Sequence, residues 1–244
     1  MDAGHARCVM GNHEYNAIGY VAPSRDSPGE FLRRHSPKNQ AQHAAFLHQV
    51  GDGSALHREL ISWFKSLPPT LDLNHIRVVH AWWHQPHVDL IAARLSSMQP
   101  MDERFLLDAY AKGSPEWEAM EGLTKGLEVR LPEGHSFIDH SGVERHEVRT
   151  KWWHENPSSY RDIALVGQEQ NHRIPDHPLP ADYVPLPIDG APVFVGHYWM
   201  SGQPALQSSK VVCVDYSAAK DGPLVAYRWD GEQALVARNF VAAG

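Results

Sequence analysis

The chain has 244 residues, and 42% of them are hydrophobic, which suits one α/β domain with a substantial core. The net charge is −7, from 22 basic and 29 acidic residues, and no basic run marks a nucleic-acid groove, so no nucleic-acid partner is expected. No signal peptide and no apolar stretch of about 20 residues is found, so neither secretion nor a membrane partner is predicted.

The two cysteines, Cys8 and Cys213, both lie in apolar, strand-like segments. Buried free thiols are the better interpretation of such positions, and free thiols are typical of a reducing compartment. We therefore expect a cytoplasmic protein. The sequence does not indicate an oligomeric state.

The first part of the chain is predicted to alternate between extended segments and helices. Residues 1–6 are typical of a helix end capped by Gly4, and residues 7–10 of a short buried strand that ends at Gly11. A polar loop follows over residues 20–39. Apolar spacing then predicts helices over 40–50 and 59–67, and two prolines end the second helix. Strands are predicted over 71–73 and 76–81, joined by a tight turn at Asn74-His75.

The middle of the chain is predicted to form a helical insert over about residues 88–128. Its helices are expected at 88–98, 102–112 and 114–126, with Asp102 and Ser114 as N-caps and Pro115 at a first helical position. Nothing in the sequence repeats internally, and no linker divides it. Residues 1–244 are therefore predicted to form a single domain.

The remaining residues are predicted to be mainly extended. Extended segments are expected between 129 and 153, with a turn at Ser141-Gly142, and a polar loop is expected over 171–192. A strand over 193–196 follows, and then a closing hairpin of 210–217 with 224–229 around Asp221-Gly222. This pattern gives an α/β protein.

Three of the predicted strands end in side chains that can bind a metal ion. Gly11-Asn12-His13-Glu14 follows the first, His80 the second and His197 the third. Strand ends carry the chemistry of open α/β sheets, so these positions predict one site. An Asn oxygen can bind a hard divalent cation, and a His can donate a proton. Structural interpretations stay open: a turn-forming Asn12, a hydrogen-bonded His13 and a histidine at the core edge for His80.

This order of residues resembles the metallophosphoesterases, the calcineurin-like superfamily, and within it the bacterial Ser/Thr protein phosphatase and diadenosine tetraphosphatase-like branch. Members carry five blocks: GDxHG, GDxxDRG, GNHE, a His after an apolar strand and a late GH. This chain has the last three. The resemblance implies two facing mixed sheets flanked by helices, with the first strands missing. It also implies two divalent metal ions (Mn, Fe or Zn), with Asn12, His80 and His197 as ligands of the second and His13 as general acid.

The first two blocks of the family are absent. The one Gly-Asp pair, Gly51-Asp52, follows a predicted helix. In the family these blocks supply the other metal ligands, the Asp that bridges both metals and a phosphate-binding Arg. We therefore expect at most one partial metal site, and no activity, in the chain that begins at Met1. Two hypotheses remain open. Either Met1 is a misassigned start within a longer gene, or the chain is a natural pseudoenzyme or interaction protein of the same fold.

Residues for phosphate binding are less clearly indicated. The family phosphatases place an Arg between the second and third ligands, where this chain has Arg149, although a solvated strand position explains Arg149 equally well. Trp199 stands where many members have a further His ligand, which favours the protein-phosphatase-like branch. Tyr216 and the Trp pairs at 82–83 and 152–153 are expected to pack in the core.

The activity implied by the resemblance is hydrolysis of phosphate monoesters on proteins or of dinucleoside polyphosphates. The fold does not decide between these substrates. His84 and His87 follow His80 closely in sequence but lie past the strand end, so neither is expected to bind the metal.

Overall fold

A computed structural model describes residues 4–95, 101–139, 142–181, 183 and 188–243. It is a mixed α/β protein of helices and small sheets, as the sequence predicts at that level. The chain divides into two compact units, residues 1–71 with 78–125 (unit 1) and residues 72–77 with 126–244 (unit 2). Within the described ranges no helix has the length and apolar character needed to cross a membrane.

Unit 1 is mainly helical. Its helices are α1 (Asn12–Val21), α2 (Pro37–Val50), α3 (Ala55–Ser66), α4 (Gln85–Leu95), α5 (Glu103–Tyr110) and α6 (Pro115–Lys125). The predicted hairpin is confirmed as β1 (Thr70–Asp72) and β2 (Arg77–Val79), which are neighbouring strands. Asn74 in their turn has φ +68°, a left-handed conformation that Asn tolerates well.

Helix starts follow the predicted capping chemistry. Asp102 accepts a hydrogen bond from Phe105 N–H (2.8 Å), and Ser114 Oγ accepts one from Trp117 N–H (3.0 Å). Pro115 is the first residue of α6. The N-cap interactions therefore confirm the starts of α5 and α6. The last three residues of the helix expected at 88–98 lie outside the described residues, as do residues 1–3 of the expected N-terminal helix end and Ser141 of the predicted turn.

The strand predicted over residues 7–10 is wrong. The segment lies beside Pro68, whose carbonyl accepts a hydrogen bond from Met10 N–H (2.9 Å). Pro68 and Pro69 have no N–H to donate in return, so a ladder of paired hydrogen bonds cannot form there. Asn12 consequently lies at the first turn of helix α1 and not at the end of a strand.

The core of unit 1 lies where α1 meets the α5 and α6 helices. Its least exposed large side chains include Tyr15 and Ile18 of α1, Phe105 of α5, and Met120 and Leu123 of α6. Full burial of such side chains contributes about 1.5–3 kcal/mol each. The position of α1, which carries Asn12, is therefore fixed by apolar packing along its length.

The described residues of unit 2 form mainly short strands and short helices. Its elements are β3 (Glu128–Arg130), β4 (Phe137–Ile138), β5 (Glu144–Arg145), β6 (Glu147–Arg149), α7 (Tyr160–Ile163), α8 (Gln168–Asn171), β7 (Val193–Val195), β8 (Val211–Cys213), β9 (Leu224–Tyr227) and β10 (Phe240–Ala243). The pairs β3–β6 and β4–β5 are antiparallel. One buried apolar cluster of this unit is formed by Leu131, Phe137, Val148, Tyr160, Ala164 and Ile174.

The closing hairpin predicted around Asp221-Gly222 is also wrong. Strand β8 pairs in parallel with β7, and β9 pairs antiparallel with β10. Between β8 and β9 the chain forms a short 3-10 helix, Ala218–Lys220, flanked by Ser217 (φ +62°) and Asp221 (φ +64°). These left-handed residues close a local turn, which directs β9 to a different partner.

The predicted packing residues are buried. Trp83, Trp152, Trp153 and Tyr216 are all buried, whereas Trp82 is half-buried. Both cysteines are free thiols, as predicted, but only Cys213 is buried; Cys8 is half-buried.

Gly122 provides a test of the packing between α4 and α6. A Cβ at this position would lie 2.9 Å from His87 Nδ1 and 3.1 Å from Trp82 Cε3. In an open helix Gly→Ala stabilises by about 0.5–1 kcal/mol, but Gly122→Ala should instead destabilise by about 1–3 kcal/mol because two rings obstruct the methyl group. Urea unfolding measures the sign, and a stabilised variant would contradict the packing described.

Candidate functional site

The start of helix α1 is held by its own motif. Glu14 Oε2 accepts a hydrogen bond from Gly11 N–H (2.9 Å), which satisfies a donor that a helix start leaves unpaired. A Cβ on Gly11 would lie 2.7 Å from Glu14 Oε2 and 2.9 Å from His80 Cε1. Glycine at this position therefore allows the backbone to lie against the His80 ring.

Asn12 and His80 are brought together in unit 1. Their side chains are in hydrogen-bond contact, with Asn12 Oδ1 2.9 Å from His80 Nε2, although 68 positions separate them in the chain. His80 directly follows β2, as predicted. The next residue is held in place because Ala81 N–H donates to the Leu123 carbonyl of α6 (2.9 Å). Two of the predicted metal ligands thus point at each other from firmly packed elements.

His13 lies on the solvent side of the same helix turn. It is exposed, whereas Asn12 and Glu14 on either side of it are half-buried. An exposed imidazole next to a ligand position can exchange protons with solvent and with a bound molecule. Nearby, burial and then the charge of Glu14 raise the pKa of Cys8, so this thiol stays protonated at neutral pH.

His197 lies in unit 2, two residues after β7, and its backbone is strained. It is buried and has φ +67°, and Trp199 has φ +48°. Non-glycine residues in this region cost of order 1–3 kcal/mol and cluster at functional sites. The predicted strand before His197 is confirmed.

Arg149 lies near Tyr198, the residue after His197. Burial raises the pKa of Tyr198, which keeps its hydroxyl neutral, while the Trp152 hydrogen bond and the Arg149 charge act in the opposite direction. Trp152 Nε1 donates to Tyr198 Oη (2.8 Å). Arg149 forms a long ion pair with Glu128 (3.5 Å), and its buried Nε has no hydrogen-bond partner in the part of the chain that the structure describes. Arg149 therefore keeps hydrogen-bonding capacity.

His84 and His87 form a separate cluster with Trp82. The His84 and His87 ring centroids are 4.0 Å apart, and His84 stacks on Trp82 at 4.4 Å. Burial lowers the pKa of both histidines, and that of His87 falls to about 4 because the His84 charge adds to burial. Both residues lie past the end of β2, as the sequence predicts, and the structure shows that they pack around Trp82 at the start of α4.

The described residues do not assemble a metal site. Within them, no group of three or more His, Cys, Asp or Glu side chains is arranged to hold a metal ion. Asn12 and His80 provide one amide oxygen and one imidazole nitrogen in contact. Ligand atoms that bind one ion at about 2.1 Å and at right angles are about 3 Å apart, so this pair fits two positions of a coordination shell.

Comparisons with known proteins do not identify a family. No protein-family model, no curated protein and no solved structure gives a significant match to this chain. The resemblance described above therefore stays a prediction, and the functional argument depends on the geometry of the chain's own residues.

Glu14 is a site residue whose role the sequence interpretation missed. It is the last residue of the GNHE motif, yet it functions as the cap of α1 and lies beside the His80 ring. The signal was present in the sequence, since an acidic residue three positions after a helix-capping residue is a known pattern of helix starts.

The contact at Gly11 can be tested by adding a methyl group. Gly11→Ala should push the His80 ring away from Asn12 and destabilise the protein by about 1–3 kcal/mol. Urea unfolding and the NMR signals of His80 measure both effects. The same substitution in a His80→Ala background should cost less, because the ring is gone and only Glu14 Oε2, at 2.7 Å, still obstructs the methyl group. An equal cost in both backgrounds would contradict the geometry.

The low pKa of His87 predicts a pH dependence of stability. Its folded-state pKa of about 4 lies below its usual 6.5, so the unfolded chain binds the proton more readily between these values. The free energy of unfolding should therefore fall as the pH drops from about 6.5 to 4, by about 1–3 kcal/mol. Urea titrations at pH 7 and 5 should show this loss, and His87→Gln should reduce it. If the free energy of unfolding of His87→Gln depends on pH as that of the wild type does, other groups cause the loss of stability.

Proposed function

We propose that this chain is part of a metal-dependent phosphoesterase in which Asn12 and His80 bind one divalent ion. The observation that carries the proposal is their contact at 2.9 Å across 68 positions of sequence. The resemblance to metallophosphoesterases assigns both residues to the same metal, and the packing of α1 and β2 gives an independent reason for their meeting. The resemblance adds His197 as a further ligand.

The chemistry of the pair suits Mn, Fe or Zn, which accept mixed oxygen and imidazole ligands. Asn12 Oδ1 can only accept, so without an ion His80 Nε2 donates the proton of their hydrogen bond. An ion bound at Nε2 displaces that proton, so affinity should fall with falling pH. When bound, the metal would supply charge neutralisation and an activated water for phosphate-ester hydrolysis.

His13 is the proposed general acid. It neighbours Asn12 in the first turn of α1 and is exposed to solvent, so it can protonate a leaving oxygen without holding the ion. Arg149 is the proposed phosphate contact. Its support is limited to the buried Nε that has no partner within the described residues.

The finer fold proposed is two facing mixed sheets flanked by helices. The strand pairing supports the mixed character of a sheet: β7–β8 is parallel and leads to His197, and β1–β2 is a hairpin and leads to His80. The substrate class proposed is a phosphoprotein or a dinucleoside polyphosphate.

The complete enzyme needs ligands that this chain lacks. We propose that they lie upstream of Met1 in the full gene product, as the GDxHG and GDxxDRG blocks of the family do. The competing proposal is a pseudoenzyme or interaction protein of the same fold. Translating the upstream DNA in frame separates the two, because only the first predicts both blocks there.

A ligand series tests the metal assignment in a protein extended upstream. Asn12→Ala, His80→Ala and His197→Ala should each lower bound metal toward one ion per chain and reduce turnover by orders of magnitude. Elemental analysis after dialysis and hydrolysis of p-nitrophenyl phosphate measure the two effects. His13→Ala should keep both ions yet slow turnover by about 10²–10⁴-fold, as expected for a general acid.

His84→Ala is the matched control for the ligand series. His84 follows the same strand but packs on Trp82 and His87, so its loss should leave metal content unchanged. Loss of metal in His84→Ala with full metal in His80→Ala would overturn the assignment. The protein that begins at Met1 should hydrolyse phosphate esters poorly with Mn. Rapid turnover that a chelator abolishes would show that the upstream ligands are unnecessary.

A further inference from the structure

Arg33 is held by neutral groups only. Its guanidinium donates to Asn16 Oδ1, to Asn39 Oδ1 (2.9 Å) and to Gln42 Oε1 (2.8 Å). These bonds use three of the five N–H groups of an Arg side chain. All three acceptors are uncharged amides, so the positive charge is oriented but not neutralised.

The backbone around Arg33 is fixed on helix α1. Arg33 N–H donates to the Gly19 carbonyl (2.9 Å), and two residues later His35 Nε2 donates to the Tyr20 carbonyl (2.8 Å). The His35 ring also stacks on Tyr20 and Phe31, with centroids 3.7 and 4.3 Å apart. The position of the guanidinium is therefore set before any ligand binds, which lowers the cost of binding.

No carboxylate of the described residues forms an ion pair with Arg33. Burial lowers the pKa of Arg33, which shows that its charge is partly removed from water. Tyr110, Glu121 and Tyr15 act on Arg33 in the direction that raises its pKa, and Glu121 is itself paired with Lys125. The adjacent Arg34 is different: it is mostly exposed and pairs with Glu30 (3.5 Å). A partly buried cation without a direct ion pair is costly, so Arg33 favours an incoming anion.

The groups around Arg33 belong to the face of α1 that carries the proposed site. Asn16, which orients Arg33, lies three residues after His13 and four after Asn12, so the three share one side of the helix. His43 is within electrostatic reach of the same region and is buried, and its Nε2 has no hydrogen-bond partner among the residues described. Burial lowers the pKa of His43, as do the charges of other cations that include Arg33 and His13.

We propose that Arg33, oriented by Asn16, is an anion-binding residue that takes a phosphate group beside His13. Its identification as the substrate's phosphate rests on the proposed function, but the binding of the anion does not. The guanidinium lies on the face of α1 from which Asn12 and His13 project, and it has two N–H groups outside its three amide bonds. It offers the charge that the missing family arginine would supply.

Binding of inorganic phosphate to the chain in EDTA tests this proposal without metal or turnover. Phosphate, compared with chloride at equal ionic strength, should raise the Tm of the wild type in a dose-dependent way, from which Kd follows. Arg33→Gln should raise that Kd at least about tenfold, the loss expected for a charge-assisted hydrogen bond. Arg34→Gln removes the same charge at the next residue and should change Kd less than about twofold.

Two further variants keep the test decisive if Arg33→Gln folds poorly. Arg33→Lys keeps the charge but not the planar fork, and Asn16→Ala keeps Arg33 but releases its orientation, so each should weaken phosphate binding several-fold. Equal responses in the Arg33 and Arg34 variants, or no phosphate response in the wild type, would overturn the proposal. If the wild type binds phosphate as predicted but the ligand variants do not change bound metal or turnover, the proposed function is wrong and the anion site remains.

Discussion

The close approach of Gly11 to His80 is the constraint on which the candidate site of unit 1 depends. Because Gly11 lacks a side chain, the first turn of α1 lies directly against the imidazole, and Asn12 reaches Nε2 at 2.9 Å. Helix α1 then continues in a fixed direction, since Tyr15 and Ile18 are fully buried. Its polar face carries His13 and Asn16, so the Gly11–His80 contact and the apolar packing of α1 together determine where these two polar groups lie.

Glu14 links the stability of the helix to the electrostatics of the site. Its carboxylate caps the backbone of Gly11 and lies in the space next to the His80 ring, where it adds negative charge close to the pair of ligands. A negative charge at a helix start is favourable because the N-terminus carries partial positive charge. The same charge favours a cation at the Asn12–His80 pair. The motif thus combines a structural glycine, the proposed ligand Asn12, a solvent-facing histidine and a cap.

Local patterns predicted the parts of the fold that local chemistry decides. The caps at Asp102 and Ser114, the β1–β2 turn and the strands that precede His80 and His197 depend on residues close in sequence. The strand expected at residues 7–10 and the hairpin expected around Asp221-Gly222 failed because pairing depends on distant partners, namely the prolines at 68 and 69 and strand β10. Likewise, apolar spacing could not show that α2 buries His43 while Ala44 is exposed.

The two adjacent arginines show why the remainder of the site could not be predicted from the sequence. Arg33 and Arg34 are chemically identical, and no local pattern distinguishes them. Their difference arises from partners: amides on α1 and α2 surround Arg33, whereas Glu30 of the same loop neutralises Arg34. Arg33 is oriented by three amides, and no carboxylate of the described residues forms an ion pair with it. The tertiary fold therefore makes one arginine of the pair available to an anion.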